Sequence, residues 1–406
     1  MGEGVFLKKF TAVILILSVF MFSAYSVSAK VSAEYYSDDI TVDTVSAVPE
    51  TNSLKFEDVK SVALIERDTG KVLVKQNENE KCAPASITKI MSMILFCEAI
   101  ESKKLTLETK VTASEHACSM GGSQIWLEPN EEMTVDDLMK AVACASANDA
   151  TVALAEEIAG SEETFVSRMN AKASQLGMNN THFMNCSGLD CDNHYSTAYD
   201  VALMSVELLK HKLIKNYTTL WMETLRGGES ELVNTNKLIR FYKGATGLKT
   251  GTTSKAGFCV SASAEKDGTE LCAVVMGAKN NDGRFGTAKK LLNYGFSNYR
   301  TEKLDAKSLP DKKIPVEGGV EEYVTAKADG TVSTLVNSGS DEKLSFGKIR
   351  ADKLSAPITV GRKIAEVPVM LNGKEIGEIG YYATESVEKL TFFAAFRMLL
   401  DGILTL

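Results

Sequence analysis

Only four histidines occur in 406 residues, and no two of them stand in an H-E-x-x-H pair, which removes the helical zinc-hydrolase pattern. No G-x-S-x-G pentapeptide is present either, so the elbow of a Ser-His-Asp hydrolase is missing along with most of the imidazoles it would need. No block of Lys or Arg stands out, and 53 acidic against 45 basic side chains leave a formal charge of −8. Nothing is therefore placed to neutralise phosphates, and nucleic acid is not the expected partner. Small molecules or cell-surface polymers fit better. Cysteine is present, with eight residues, but at no standard metal spacing. Cys97, Cys144, Cys259 and Cys272 lie in apolar runs where a thiol behaves as a small hydrophobe; only Cys186 and Cys191 are close enough for a local bridge.

Long apolar runs are confined to the two ends. At the start, Lys8 and Lys9 precede an apolar stretch from Phe10 to about Phe22 and the small residues Val27-Ser28-Ala29. This is the three-part pattern of a secretory signal cut after Ala29, which places the mature chain outside the cytoplasm. An uncleaved anchor is the rival reading, and the shortness of the run argues against it. At the other end, Val387 to Leu406 is apolar apart from Glu388, Thr391, Ala394, Arg397, Asp401 and Thr405 at three-to-four spacing. That pattern predicts a helix lying in a membrane interface. A membrane span and packing against the preceding domain are the alternatives; about 17 residues is the lower limit for crossing, and Arg397 and Asp401 fall near the middle.

The length suits two domains. Residues 30–54 have no period and read as a linker. Ser61 to Lys75 reads as a hairpin turning at Asp68-Thr69-Gly70, with Val62, Leu64, Val72 and Val74 alternating. A helix is predicted from Ser86 to about Ile100, introduced by Pro84 and carrying Ile90, Met93, Ile94 and Cys97 at helical spacing. Further helices are expected at Val135 to Ala145, Ala150 to Ala159, Glu163 to Leu176 and Ala198 to Leu213. Strands follow at Gly257 to Ala264 and Leu271 to Gly277, and a helix at Gly286 to Tyr294 closes an α+β domain over residues 55–300. From Thr301 the pattern changes to short strands, including a hairpin through Asn372-Gly373, so 301–384 reads as a small all-β domain and 385–406 as the amphipathic helix.

Three short motifs stand in order: Ser86-Ile87-Thr88-Lys89, Ser146-Ala147-Asn148 and Lys249-Thr250-Gly251. Each is weak alone; their order, spacing and contexts carry the signal. At the start of a helix, Lys89 falls one turn from Ser86 on the same face. A serine hydroxyl needs a base near pH 7, and a lysine becomes one only where burial and nearby positive charge favour its neutral form. Ser146 and Asn148 suit a loop between helices that points polar groups into a cleft. Lys249-Thr250-Gly251-Thr252 precedes a predicted strand and reads as part of a sheet-edge strand, where an extended peptide can add while Lys249 and the hydroxyls hold a terminal carboxylate. A phosphate loop fails there on register, because the two glycines it needs are Leu248 and Lys243.

Together these segments resemble the low-molecular-weight penicillin-binding proteins, the serine D-Ala-D-Ala carboxypeptidases. Pro84 to Met91, Gly122 to Leu127, His194 to Ala198, Asn234-Thr235-Asn236, Gly247 to Thr252 and Ala256-Gly257-Phe258 carry the likeness, which spans about residues 55–383. One departure is Cys186-Ser187-Gly188-Leu189, where the family pattern has Pro-His before Gly-Leu. The resemblance implies a transpeptidase-like catalytic domain, an antiparallel sheet with helices around it, followed by a β domain and an amphipathic tail. It implies that Ser86 attacks the bond between two D-alanines of a peptidoglycan stem peptide while Lys89 takes its proton. Ser146 would relay a proton to the leaving amine, and Asn148 would orient Lys89 and the substrate. Lys249, Thr250, Gly251 and Thr252 would hold the carboxylate side, with Arg284 as helper, and the N–H groups of Ser86 and Thr252 would form an oxyanion hole. No cofactor or metal is implied. β-Lactams would trap the acyl-enzyme, and the protein would work at the outer face of the cytoplasmic membrane.

Related chemistries compete. A DD-endopeptidase would use the same residues on crosslinks. A class A β-lactamase needs a glutamate after the second motif, and none occurs between Glu163 and Glu207. A penicillin sensor would be expected to carry further membrane or cytoplasmic segments.

Overall fold

A computed structural model describes residues 54–404; the expected signal segment and nearly all of the 30–54 linker lie outside the described residues. The sheet of the first domain is built from β1 (Ser61–Glu66), β2 (Val72–Gln76), β3 (Ala245–Thr253), β4 (Gly257–Lys266) and β5 (Thr269–Ala278), in the order β2-β1-β5-β4-β3. Every pairing is antiparallel. Alternation along β1 sends Val62 and Leu64 to one face and Ala63 and Ile65 to the other, and both faces are buried. Because each face needs a cover, the sheet sits between helices.

The helices are α1 (Lys89–Glu101), α2 (Asn148–Ala159), α3 (Glu162–Gln175), α4 (Ala198–Lys210) and α5 (Asn281–Asn298). Helix α5 covers the Val62 and Leu64 face with Ala288, Leu291 and Leu292, and the others cluster over the Ala63 and Ile65 face. Caps set their starts: Ser161 accepts from Thr164 N, Thr197 from Asp200 N and Asn280 from Gly283 N. The Asn280 cap begins α5 five residues before the predicted Gly286, so Arg284 lies in its first turns. Helix α1 is buried nearly all round and is the central helix of the domain rather than an amphipathic one.

Two irregular turns depart from the predicted helices. Ala85–Thr88 forms a 3-10 turn ahead of α1. The segment expected as one helix from Val135 to Ala145 is α-helical only over Val135–Lys140; Ala141–Ala145 widens into a π turn that ends at Ser146 with φ 64°.

In the second domain six strands follow the order Leu344–Phe346, Lys363–Leu371, Lys374–Ala383, Tyr323–Asp329, Lys312–Glu317 and Leu354–Ser355. Tyr299–Asp305 pairs separately with Thr331–Asn337. The hairpin turn at Asn372-Gly373 has positive φ at both residues, 51° and 79°, as a two-residue hairpin loop requires. Its core includes Val324, Val369, Ile379 and Tyr381.

The tail differs from the expected Val387 to Leu406 helix. Val387 is buried and pairs with Ile358, and Lys389 bridges to Gly319, so residues 387–390 complete the β domain. Helix α6 (Phe392–Leu404) begins only after Thr391, whose hydroxyl accepts from Ala394 N. Burial of Val387 and its two backbone hydrogen bonds to Ile358 outweigh the helical periodicity of the tail. All eight cysteines are free thiols, Cys186 and Cys191 included.

Candidate active site

Ser86 sits in the 3-10 turn between the sheet edge and α1. The turn is entered through Ala85 at φ 48°, a left-handed conformation that costs an alanine on the order of 1 kcal/mol. Gly188 holds it there: a Cβ on Gly188 would stand 1.9 Å from Ala85 O, so only glycine permits the approach. Lys89 is fully buried, and its Nζ lies 3.1 Å from Ser86 Oγ, 2.5 Å from Asn148 Oδ1 and 2.6 Å from Ser187 O. Burial is the largest cause that lowers its pKa from 10.5 to about 7, with Asp149 pulling the other way. Nearby positive charge, expected from the sequence to help, is not among the leading causes.

The π turn delivers the second motif. Left-handed Ser146 is buried, and its Oγ has no hydrogen-bond partner among the described residues. Asn148 opens α2; its N–H donates to Ser123 O, its Nδ2 to Gly121 O, and its Oδ1 accepts from Lys89. Next to it the buried carboxylate of Asp149 accepts from Ile125 N and Leu127 N, which fixes the 121–127 loop alongside Asn148.

The third motif lies on β3, at the sheet edge as predicted. Gly251 lets this strand touch the Ser86 turn, since a Cβ there would meet Ser86 N at 2.9 Å and Ile87 N at 3.0 Å. Lys249 is buried and donates to Thr250 O. Burial, then the charges of Lys89 and Arg284, hold its pKa well below the usual lysine range. Thr250 Oγ1 donates to Thr235 Oγ1. Arg284 Nη1 donates to Gly251 O, Thr252 Oγ1 and Cys259 O, so this guanidinium braces the strand and reaches the cleft by way of Thr252.

The structure thus gathers Ser86, Lys89, Asn148 and Gly251 around one point, joins Thr250, Thr252 and Arg284 to it through the strand, and leaves Ser146 Oγ unpaired. Several contributors carried no assigned role in the sequence reading. The acceptor at Ser187 is a backbone carbonyl and has no sequence signal. Asn236 Nδ2 ties down Gly247 O. His194 supports the turn: its Nδ1 accepts from Met184 N, so Nε2 carries the proton toward Thr88 Oγ1 at 2.8 Å. Burial lowers its pKa to about 4, which keeps it neutral near pH 7.

A hydroxyl and a buried amine one turn apart, flanked by an edge strand bearing a second buried lysine, define the penicillin-binding class. Within that class the chain belongs to the family described as D-alanyl-D-alanine carboxypeptidase, which matches residues 49–280. Residues 299–389 match the penicillin-binding protein 5 C-terminal domain. The chain is 44% identical to D-alanyl-D-alanine carboxypeptidase DacF of Bacillus subtilis over 346 residues, 84% of this chain and 89% of the relative. It is 33% identical to DacC of Escherichia coli over 86% of this chain and 89% of that one. Among solved structures, penicillin-binding protein 5 of Haemophilus influenzae superposes with a TM-score of 0.65 at 30% identity, covering 82% of this chain and 98% of the other. The ampicillin-bound penicillin-binding protein D2 of Listeria monocytogenes gives 0.55 at 30% identity over 60% and 99%.

Proposed function

We propose that this protein removes the terminal D-alanine from peptidoglycan stem pentapeptides through an acyl-enzyme on Ser86, with Lys89 as the base. The observation that carries the reading is the environment of Lys89 Nζ. A neutral amine has two N–H bonds and one lone pair. Asn148 Oδ1 and Ser187 O, the two nearer acceptors, take the N–H groups, which leaves the lone pair for the Ser86 hydroxyl.

Ser86 Oγ then attacks the carbonyl carbon of the penultimate D-alanine as its proton passes to Lys89. Charge on the carbonyl oxygen meets the backbone N–H groups of Ser86 and Thr252, from segments that Gly251 brings into contact. The unpaired Ser146 hydroxyl carries a proton to the departing amine. Lys249, Thr250 and Thr252 bind the terminal carboxylate. Water hydrolyses the ester, and a β-lactam enters the same path and stops at the ester.

The protein acts after export, at the outer face of the cytoplasmic membrane. Helix α6 supports anchoring there: Phe392, Phe393, Phe396, Met398 and Leu400 are all exposed, a set suited to the boundary between headgroups and acyl chains. Among the described residues no helix is long and apolar enough to cross a membrane.

Mass spectrometry of the intact protein after brief exposure to benzylpenicillin tests the site. One adduct mapping to Ser86 is expected, lost in Ser86→Ala together with D-alanine release from a pentapeptide. Labelling retained in that variant would overturn the assignment.

A further inference from the structure

Lys89 Nζ is aligned by three oxygens, and one of its two acceptors, Ser187 O, belongs to a loop with no regular secondary structure. Something must hold that carbonyl in place. Cys186, the preceding residue, is gripped on both sides of its peptide: its carbonyl accepts from Ser92 Oγ at 2.6 Å, and its N–H donates to Glu162 Oε1 at 2.9 Å. Asn185 braces the far side, its Oδ1 accepting from Gly188 N at 2.7 Å. The Glu162 side chain is 13% exposed, and its other oxygen lies 3.5 Å from His116 Nε2.

The departure noted in the sequence gives this contact meaning. Proline at position 186 would fix φ by its ring and have no N–H to offer. With cysteine there, the ring constraint is gone and a buried N–H appears, which must find an acceptor. Glu162 Oε1 is that acceptor. We propose that Glu162 is a positioning residue for Lys89, acting through the Cys186 N–H to hold the Ser187 carbonyl against the amine.

The competing explanation is that Glu162, in the first turn of α3, only complements the helix dipole. The two make opposite demands on substitution. Glu162→Asp keeps the charge but shortens the side chain by one methylene, whereas Glu162→Gln keeps the length and an acceptor oxygen without the charge. Both are mild enough to fold, and their melting temperatures are recorded alongside.

The proposal rests on the reading of Ser86 and Lys89 given above, so adduct formation on wild-type Ser86 is established first; its absence would sink that reading. The rate of acylation by benzylpenicillin is then measured for each variant. We expect Glu162→Asp to be slower by about tenfold, within the scale on which an ångström of misplacement acts, and Glu162→Gln to stay within about threefold of wild type. The loss should fall on the acylation step and not on the preceding binding constant. Wild-type speed in Glu162→Asp, a Gln variant no faster than the Asp variant, or a loss confined to binding would overturn the positioning role while leaving Ser86 and Lys89 as assigned.

Discussion

A lysine accepts a proton at neutral pH only if its charged form is disfavoured before substrate arrives, and in this protein burial does that. Burial lowers the Lys89 pKa from 10.5 to about 7, so the neutral form that the proposed base role needs is lost as pH falls below about 7. Acylation by benzylpenicillin should therefore rise about tenfold per pH unit below 7 and level off above it. Lys89→Ala should be at least about a hundredfold slower and should lose that dependence; a near-normal rate, or an unchanged pH profile, would show that another group is the base. Lys249 is also buried, yet its assigned role calls for the opposite state. An arriving carboxylate would stabilise its ammonium, and burial together with repulsion from Lys89 and Arg284 keeps that charge costly until then. The two lysines of one cleft thus suit different work, Lys89 held neutral by burial and Lys249 charged by its ligand.

At the scale of elements, the proposed site depends on an edge strand lying against a 3-10 turn. Gly251 is the contact point, and the atoms a Cβ would strike are the backbone nitrogens of Ser86 and Ile87, which cannot swing aside. Gly251→Ala should slow acylation by about tenfold or more and lower the melting temperature. Gly286→Ala on α5, where a Cβ meets nothing within 4 Å, should leave acylation unchanged and favour the helix by up to about 1 kcal/mol. Equal effects of the two substitutions on acylation would refute the contact argument. Much of this was legible in the chain: Ser86 and Lys89 on one face, the polar loop at Ser146, the edge position of Lys249. Hydrophobic period reports how often a residue is buried, not which hydrogen bond its backbone makes. For that reason the π turn before Ser146 and the 3-10 turn at Ser86 were hidden inside predicted helices. Nor does local sequence show that β1 pairs with β5 across some two hundred residues, or that Ser187 gives a carbonyl to Lys89.

The whole molecule joins a catalytic domain to a β domain whose last strand-like segment leads directly into an apolar helix. Where one ends and the other begins decides how the proposed anchoring role of α6 can be tested. A cut before Val387 would remove a residue that is 1% exposed and pairs with Ile358, so any loss of membrane binding would be confounded by damage to the domain. Ending the chain at Thr391 keeps Val387, the Gly319 to Lys389 bridge and the hydrogen bond from Leu390 N to Gly318 O, while removing all of α6. Such a protein should remain folded, acylate at the wild-type rate and fail to co-sediment with lipid vesicles that retain the full chain. Each exposed aromatic or aliphatic side chain on α6 contributes roughly 1.5–3 kcal/mol if fully buried in an apolar phase, which makes several together ample for interfacial binding. Continued co-sedimentation of the shortened protein would remove the helix as the anchor, whatever the fate of the active-site assignment.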